Sequence, residues 1–485
     1  MQLSDENASM SSSYDFRDAA AEMSGARRCG HNHESLKGTV SFLSLFFITV
    51  VALSIWAICF KPTPAQAVPS FSQQTGQPCS SCHVGAYGPQ LTAFGRAFKL
   101  GGYADGNGEQ HFPPLSLMLE SSFTHTNASQ HPEAAPGFGP NDNFATDQIS
   151  LFYAGRIAPS FGAFIQTTYD GIGNVFTWDN TDVRYAHRGS LFGDDFTYGV
   201  TVNNNPTVQD LWNSTPAWGF PYAASGLAPS PAEASLLDGG LSQQVMGAGI
   251  YGMWNDLVYL EFTGYEQLAR DTQSALGVGG VHGSDAFGGV IPYWRLALQH
   301  DFGDHYVEIG TLGLNARRYP GGDASAGADN ITDTAVDANY QWTGDPDNLV
   351  SAHAILINEN MNLGASRALS STNPSDNLET FRTDLSYSYK NTYTPSVQYF
   401  RTWGSSDAAL WGTANGSPNS QGFVAELAYV PFGKPDSFIP WFNGRLALQY
   451  VAYTEFDGTT AHASDNNTIY LNLWLSTDLF AGYSP

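Results

Sequence analysis

Lysine is almost absent. After residue 67 the chain holds only Lys99, Lys390 and Lys434, and over its whole length Asp and Glu outnumber Lys and Arg by 45 to 20. Nucleic acid is recognised through basic stripes that neutralise phosphate, so a formal charge of −25 excludes that class of partner. Cysteine is as scarce, with Cys29, Cys59, Cys79 and Cys82 alone. Beyond residue 60 no apolar run approaches the ~20 residues of a membrane helix, which excludes a helical membrane protein. Charged residues, at 13%, are too sparse for an ordinary soluble enzyme.

The one long apolar run lies near the start. Val40 to Phe60 carries no charge, follows Arg27, Arg28 and Lys37, and closes with Lys61 and the small-residue site Ala65-Gln66-Ala67. That order reads as a secretory signal, residues 1–67, cleaved before Val68, although the run is also long enough for an uncleaved anchor. Cleavage removes Cys29 and Cys59. Cys79 and Cys82 are then the only thiols, and if a cofactor takes both, no structural disulfide remains possible.

Those thiols belong to Cys79-Ser80-Ser81-Cys82-His83, the c-type haem attachment spacing. Each cysteine can form a thioether to one haem vinyl, and the adjoining His83 then reaches the iron as proximal ligand. The CxxC spacing also occurs in redox motifs and in half zinc sites, but neither a βαβ context nor further ligands at zinc spacing lie near Cys79. One covalently attached haem c is therefore expected. Residues 68–110 form its module, in which Leu91, Phe94 and Phe98 share a helical face placed against the haem and Gly101-Gly102 stops the run. Arg96 or Lys99 could meet the propionates. Candidates for the sixth ligand are Met118, His111 and His125, a methionine giving the higher potential. A module of about 40 residues is near the limit for independent folding, so it must borrow walls from the rest of the chain.

From Leu115 to the C-terminus the pattern changes to period-2 alternation, as in Thr334 to Trp342, where Thr334, Val336, Ala338, Tyr340 and Trp342 alternate with Ala335, Asp337, Asn339 and Gln341. Sixteen such segments can be marked, among them 115–126, 147–158, 181–188 and 467–480. Short turns follow the even-numbered segments and long Gly/Asn/Ser loops the odd ones. An even count, spanning lengths and loop asymmetry favour an outer-membrane β-barrel of about 16 antiparallel strands, residues 111–485, over a soluble all-β core. Arg184, Glu261, Arg295, Asp337, Arg382 and Arg445 would line its lumen. Short turns and both termini are expected on the periplasmic side, and acidic, lysine-free loops outside, where they would attract cations at neutral pH. The longest loop, 204–243, is too aromatic to be merely solvated and is expected over or inside the lumen. The haem module is expected inside the barrel as a plug, since it is too small to shield a haem by itself and the lumen offers walls.

Pro69-Ser70-Phe71, the haem pentad, Leu91-Thr92-Ala93-Phe94-Gly95-Arg96 and the loop stretches Asn204-Asn205-Pro206-Thr207-Val208-Gln209-Asp210 and Pro216-Ala217-Trp218-Gly219-Phe220-Pro221 resemble the fused monohaem cytochrome c and porin family of iron-oxidising bacteria. The resemblance covers the whole mature chain and is nearest the members from acidophilic iron oxidisers. It implies an outer-membrane protein that accepts electrons from extracellular Fe(II) and passes them to a periplasmic c-type cytochrome or copper carrier. One departure is the C-terminus, whose last aromatic is Tyr483 and not the final residue. The rival readings are a transport porin with a haem plug or gate, and a haem enzyme such as a peroxidase, which would need an open iron position.

Overall fold

A computed structural model describes residues 69–107, 113–280, 284–370, 372–437 and 442–480, all within one compact unit. The signal segment 1–67 and His111 lie outside the described residues. Sixteen long strands follow in order. They are β1 Leu115–Thr126, β2 Asn143–Ala158, β3 Phe161–Asp170, β4 Val175–Leu191, β5 Asp194–Asn203, β6 Val245–Trp254, β7 Val258–Gln267 and β8 Ile291–Asp301. The second half comprises β9 His305–Tyr319, β10 Asp329–Asp345, β11 Asn348–Asn362, β12 Ser375–Tyr389, β13 Tyr393–Gly404, β14 Ser420–Tyr429, β15 Phe442–Glu455 and β16 Thr468–Asp478.

Each strand pairs antiparallel with its sequence neighbours, and β1 closes the sheet by pairing with β16 from Ser116↔Asp478 to Thr126↔Thr468. A two-residue strand, Ala286–Phe287, pairs with the end of β9 without entering the barrel, because β7 bonds β8 directly. The barrel of about sixteen strands read from the alternation is thus present and closed. Several strands are longer than the alternation implied. β2 starts at Asn143 and β4 begins at Val175, where Tyr169↔Phe176 and Thr167↔Trp178 carry the ladder past a bulge at Ile165/Thr167. Two connections also depart from the expected rhythm: β3 and β4 are joined by the tight turn 171–174, whereas 430–441 between β14 and β15 is long.

The faces settle which side is in. On β1, Ser116, Met118, Glu120, Ser122 and Thr124 are buried, while Leu115, Leu117 and Leu119 lie on the outward row. Around the wall Ile250, Phe262, Ile309, Val336, Phe423 and Leu448 are exposed. A closed sheet with apolar residues outward leaves no edge and suits a hydrocarbon layer. Arg184, Glu261, Arg295, Asp337 and Arg445 are buried inward as expected, and Arg382 faces the same way, paired with Asp238.

The lumen is filled. The loop 204–243 folds into it, with Asn204 to Trp212 buried. Leu237 and Leu241 of the loop pack with Tyr265, Ile291, Tyr293, Leu312, Leu314 and Ile357 of the wall. Residues 69–107 also lie inside: Ser70 N–H donates to Ser116 of β1, Gln90 to Ser351 of β11, Arg96 to Gln341 of β10, and Tyr103 to Asp182 of β4. Bonds to strands around the circumference leave no other place for this segment.

Candidate functional site

The pentad is a single helical turn, Cys79–Cys82, in which the i, i+3 spacing brings both thiols to one side and the His83 N–H donates to the Cys79 carbonyl. His83 leaves that turn in extended conformation and bridges to Leu91, so the chain doubles back on itself. Thr92 then donates to the Ser81 carbonyl and caps the helix Ala93–Leu100 by accepting from the Gly95 N–H. A Cβ on Gly95 would overlap the Cys82 carbonyl oxygen, so only glycine lets this helix lie on the pentad. The pentad is held to the barrel at the end that carries the turn 390–392 and the connection 430–441. Ser80 N–H donates to Gly433, Gly85 N–H to Asn391, and Asn443 to the Ala86 carbonyl.

Cys79, Cys82 and His83 open onto one cavity of about 380 Å³, within the ordinary range for a ligand site. Met118, Phe152, Phe164 and Trp474, which pack together, also line it, as do Trp218 and Tyr222 of the long loop. The two thiols are buried and not joined in a disulfide. Burial pushes Cys82 up to about 12 and lowers His83 to about 4, so the imidazole is neutral, the form that ligates metals. Its Nδ1 is buried without a hydrogen-bond partner. An apolar cavity bounded by two unbridged thiols, a neutral imidazole and a buried thioether fits a thioether-linked haem. Cys79 and Cys82 would attach it, and His83 with Met118 would hold its iron.

The other residues singled out in the sequence are placed differently. His125 lies on the outward row of β1 and bonds Asp142 at 2.7 Å, away from the cavity. Arg96 is not part of the cavity wall; it donates to the Leu91 carbonyl and Gln341 and stands 3.7 Å over the Tyr306 ring. Lys99 does line the cavity, but its ammonium donates to the Val208 carbonyl at 2.8 Å and to Asn213 at 2.6 Å. Of the helical face, Phe98 is buried against Phe71 and Tyr103, whereas Phe94 is 44% exposed. The helix begins only at Ala93, so Leu91 precedes it and the face drawn through all three residues does not form. Trp218 and Tyr222 belong to the aromatic loop expected in the lumen, but their place in the cavity wall went unread, as did Asn213 altogether.

Outside the cavity wall the lumen also holds buried charge. Arg295 stands 2.8 Å from Asp337, 3.3 Å from Glu308 and 3.4 Å from Asp210, all shut off from solvent. Arg184 pairs with Asp182 at 2.8 Å and donates to the carbonyls of Lys99 and Gln209, tying wall, helix and loop together.

No protein-family model and no curated protein matches the chain. Among solved structures it is similar to the anion-selective porin from Comamonas acidovorans, at 12% identity over 75% of this chain and 98% of that one, with a TM-score of 0.43. It is also similar to OmpF of Salmonella typhi in complex with daunomycin, at 12% identity over 75% and 96% and a TM-score of 0.42. The channel DcaP of Acinetobacter baumannii stands at 10% identity over 75% and 96%, with a TM-score of 0.40.

Proposed function

We propose that this chain is an outer-membrane electron-transfer protein carrying one haem c. It takes electrons from extracellular Fe(II) and hands them to a periplasmic c-type cytochrome or copper carrier. The observation that carries the reading is the convergence of Cys79, Cys82, His83 and Met118 on one cavity inside the barrel. A haem bound there supplies reversible one-electron chemistry. The chain's part would be to hold it: Cys79 and Cys82 would attach it, His83 and Met118 would ligate its iron, and Phe152, Phe164 and Trp218 would supply apolar walls. A thioether ligand would raise a haem potential relative to a second imidazole, the direction needed to accept electrons from Fe(II). If the short turns face the periplasm, as in outer-membrane barrels generally, the anchorage of the pentad at Asn391 would leave the cavity within reach of a soluble periplasmic carrier.

The second reading is a transport porin with a haem plug, favoured by a circumference of sixteen strands, which is wide enough for an aqueous lumen. One preparation separates the two. Reduction of the purified protein by Fe(II), followed by its absorption spectrum, is set beside solute flux through reconstituted vesicles. Reduction with negligible flux supports electron transfer; flux with no spectral response sinks it. Cys79→Ala, Cys82→Ala and His83→Ala should weaken covalent haem staining or shift the Soret band, and three unchanged variants would end the cytochrome reading.

A further inference from the structure

Besides the packing of Leu100 on Leu211 and Trp212, the helix that carries Arg96 and Lys99 is tied to the long loop at a buried polar joint. Lys99 Nζ donates to the Val208 carbonyl and to Asn213 Oδ1, and Asn213 Nδ2 returns a bond of 2.8 Å to the Pro89 carbonyl, in the turn between His83 and the helix. The same Val208 carbonyl accepts the Trp218 indole N–H at 2.8 Å, and the ammonium lies 5.2 Å from that ring. Beyond this knot the arm 213–222 crosses the cavity, presenting Asn213, Trp218, Pro221 and Tyr222 to it. Its own shape is fixed by Asp210, which accepts from the N–H groups of Ser214 and Thr215 and from the Thr215 hydroxyl.

We propose that Lys99 is a positioning residue that clasps the arm 213–222 across the cofactor cavity and so shuts out water and small exogenous ligands. This rests on the haem reading above. The geometry argues against a propionate partner, because the ammonium is directed at the loop. A buried lysine is an awkward way to join two segments unless the joint itself is needed. Burial lowers its pKa to about 7, so in acid it stays a charged donor. With the arm held closed, Trp218 and Tyr222 would add a barrier to that of the Met118 ligand, so oxygen or peroxide would reach the cavity only slowly, which sets a carrier apart from a peroxidase.

The test uses the full holoprotein in detergent with carbon monoxide on the reduced form and imidazole on the oxidised form, followed by the Soret shift. Lys99→Met keeps the apolar stem and removes both donors. Asn213→Ala removes one acceptor and the bond to Pro89 while leaving the charge. Both variants should keep wild-type covalent haem content and bind the probes at least about tenfold faster than wild type, the change one charged hydrogen bond supports. Their midpoint potentials should fall as water enters. Probe kinetics equal to wild type in both haem-loaded variants overturn the clasp, and so does a wild type that already binds at the variants' rate. A wild-type protein without covalent haem sinks the function reading instead, and is seen before any probe is added.

Discussion

Replacing Arg295 by methionine tests whether the lumen is packed or wet. The guanidinium stands 2.8 to 3.4 Å from Asp337, Glu308 and Asp210, and its side chain is 0% exposed. At an effective dielectric of ~20 each attraction is about 5 kcal/mol, opposed by desolvation and by repulsion among the three carboxylates. Burial works against ionisation of Asp210, yet Arg295 and Lys99 hold its carboxyl below the usual range, so the cluster depends on its cations. Removing one partner of a buried pair leaves orphaned charge and costs about 3–5 kcal/mol. Arg295→Met should lose that much in urea unfolding of the purified barrel. Tryptophan fluorescence reports it, since Arg295 stands 4.9 Å from the Trp212 ring centroid. Pairing it with Asp337→Asn should recover part of the loss, because fewer charges are left unpaired. A loss under about 1 kcal/mol, the value for exposed pairs, would mean that water reaches these carboxylates and that the lumen is not sealed.

Leu237→Ala, in the apolar cluster between loop and wall, should cost about 2–5 kcal/mol in the same unfolding measurement, whereas a fully hydrated loop would lose almost nothing. Gly95→Ala should block packing of the helix on the pentad and cut covalent haem content severely, read by haem staining against total barrel. Glu233 in the long loop is raised to about 7 by burial first, then by Asp457 and Glu359. The folded loop therefore keeps a proton that the open one releases, so protection of residues 232–240 in hydrogen exchange, corrected for intrinsic rate, should be greatest below about pH 4.5 and fall as pH rises to 7. Glu233→Gln should flatten that profile.

The barrel was legible because a half-buried sheet imposes a period of two on every strand, and sixteen runs repeated it. Direction was not, since an alternating strand reads the same whether its apolar side meets a core or lipid; only closure of β1 on β16 decides it. The pentad was legible because covalent attachment fixes its spacing. Within the candidate axial ligands a further signal was available: Leu115, Leu117, Leu119 and Phe123 mark the outward row of β1, so parity alone puts Met118 with Ser116 and Glu120 and sends His125 outward. The partners of Arg96 and Lys99 were not legible for the opposite reason. Gln341, Tyr306, Val208 and Asn213 come from segments more than a hundred residues away, and no local pattern encodes such a meeting.

That distance explains how a segment of this size is stable at all. Arg96, Lys99, Arg184 and Arg295 face Asp182, Asp210, Glu261, Glu308 and Asp337 in the filled lumen. Two of the four cations come from residues 69–107, and without them two arginines would face five carboxylates in a low dielectric. Leu100 of the same segment packs with Leu211 and Trp212 of the loop and with Tyr251, Tyr259 and Tyr306 of the wall. Segment, loop and wall each leave charge or apolar surface that only the other two cover. None of the three is therefore a separate module in energetic terms: the wall needs the segment's cations, the loop needs the segment's helix, and the segment has no core of its own. Closure of the lumen and assembly of the cavity are one packing event, which is why a barrel with no disulfide among the described residues can hold a buried site within its sixteen strands.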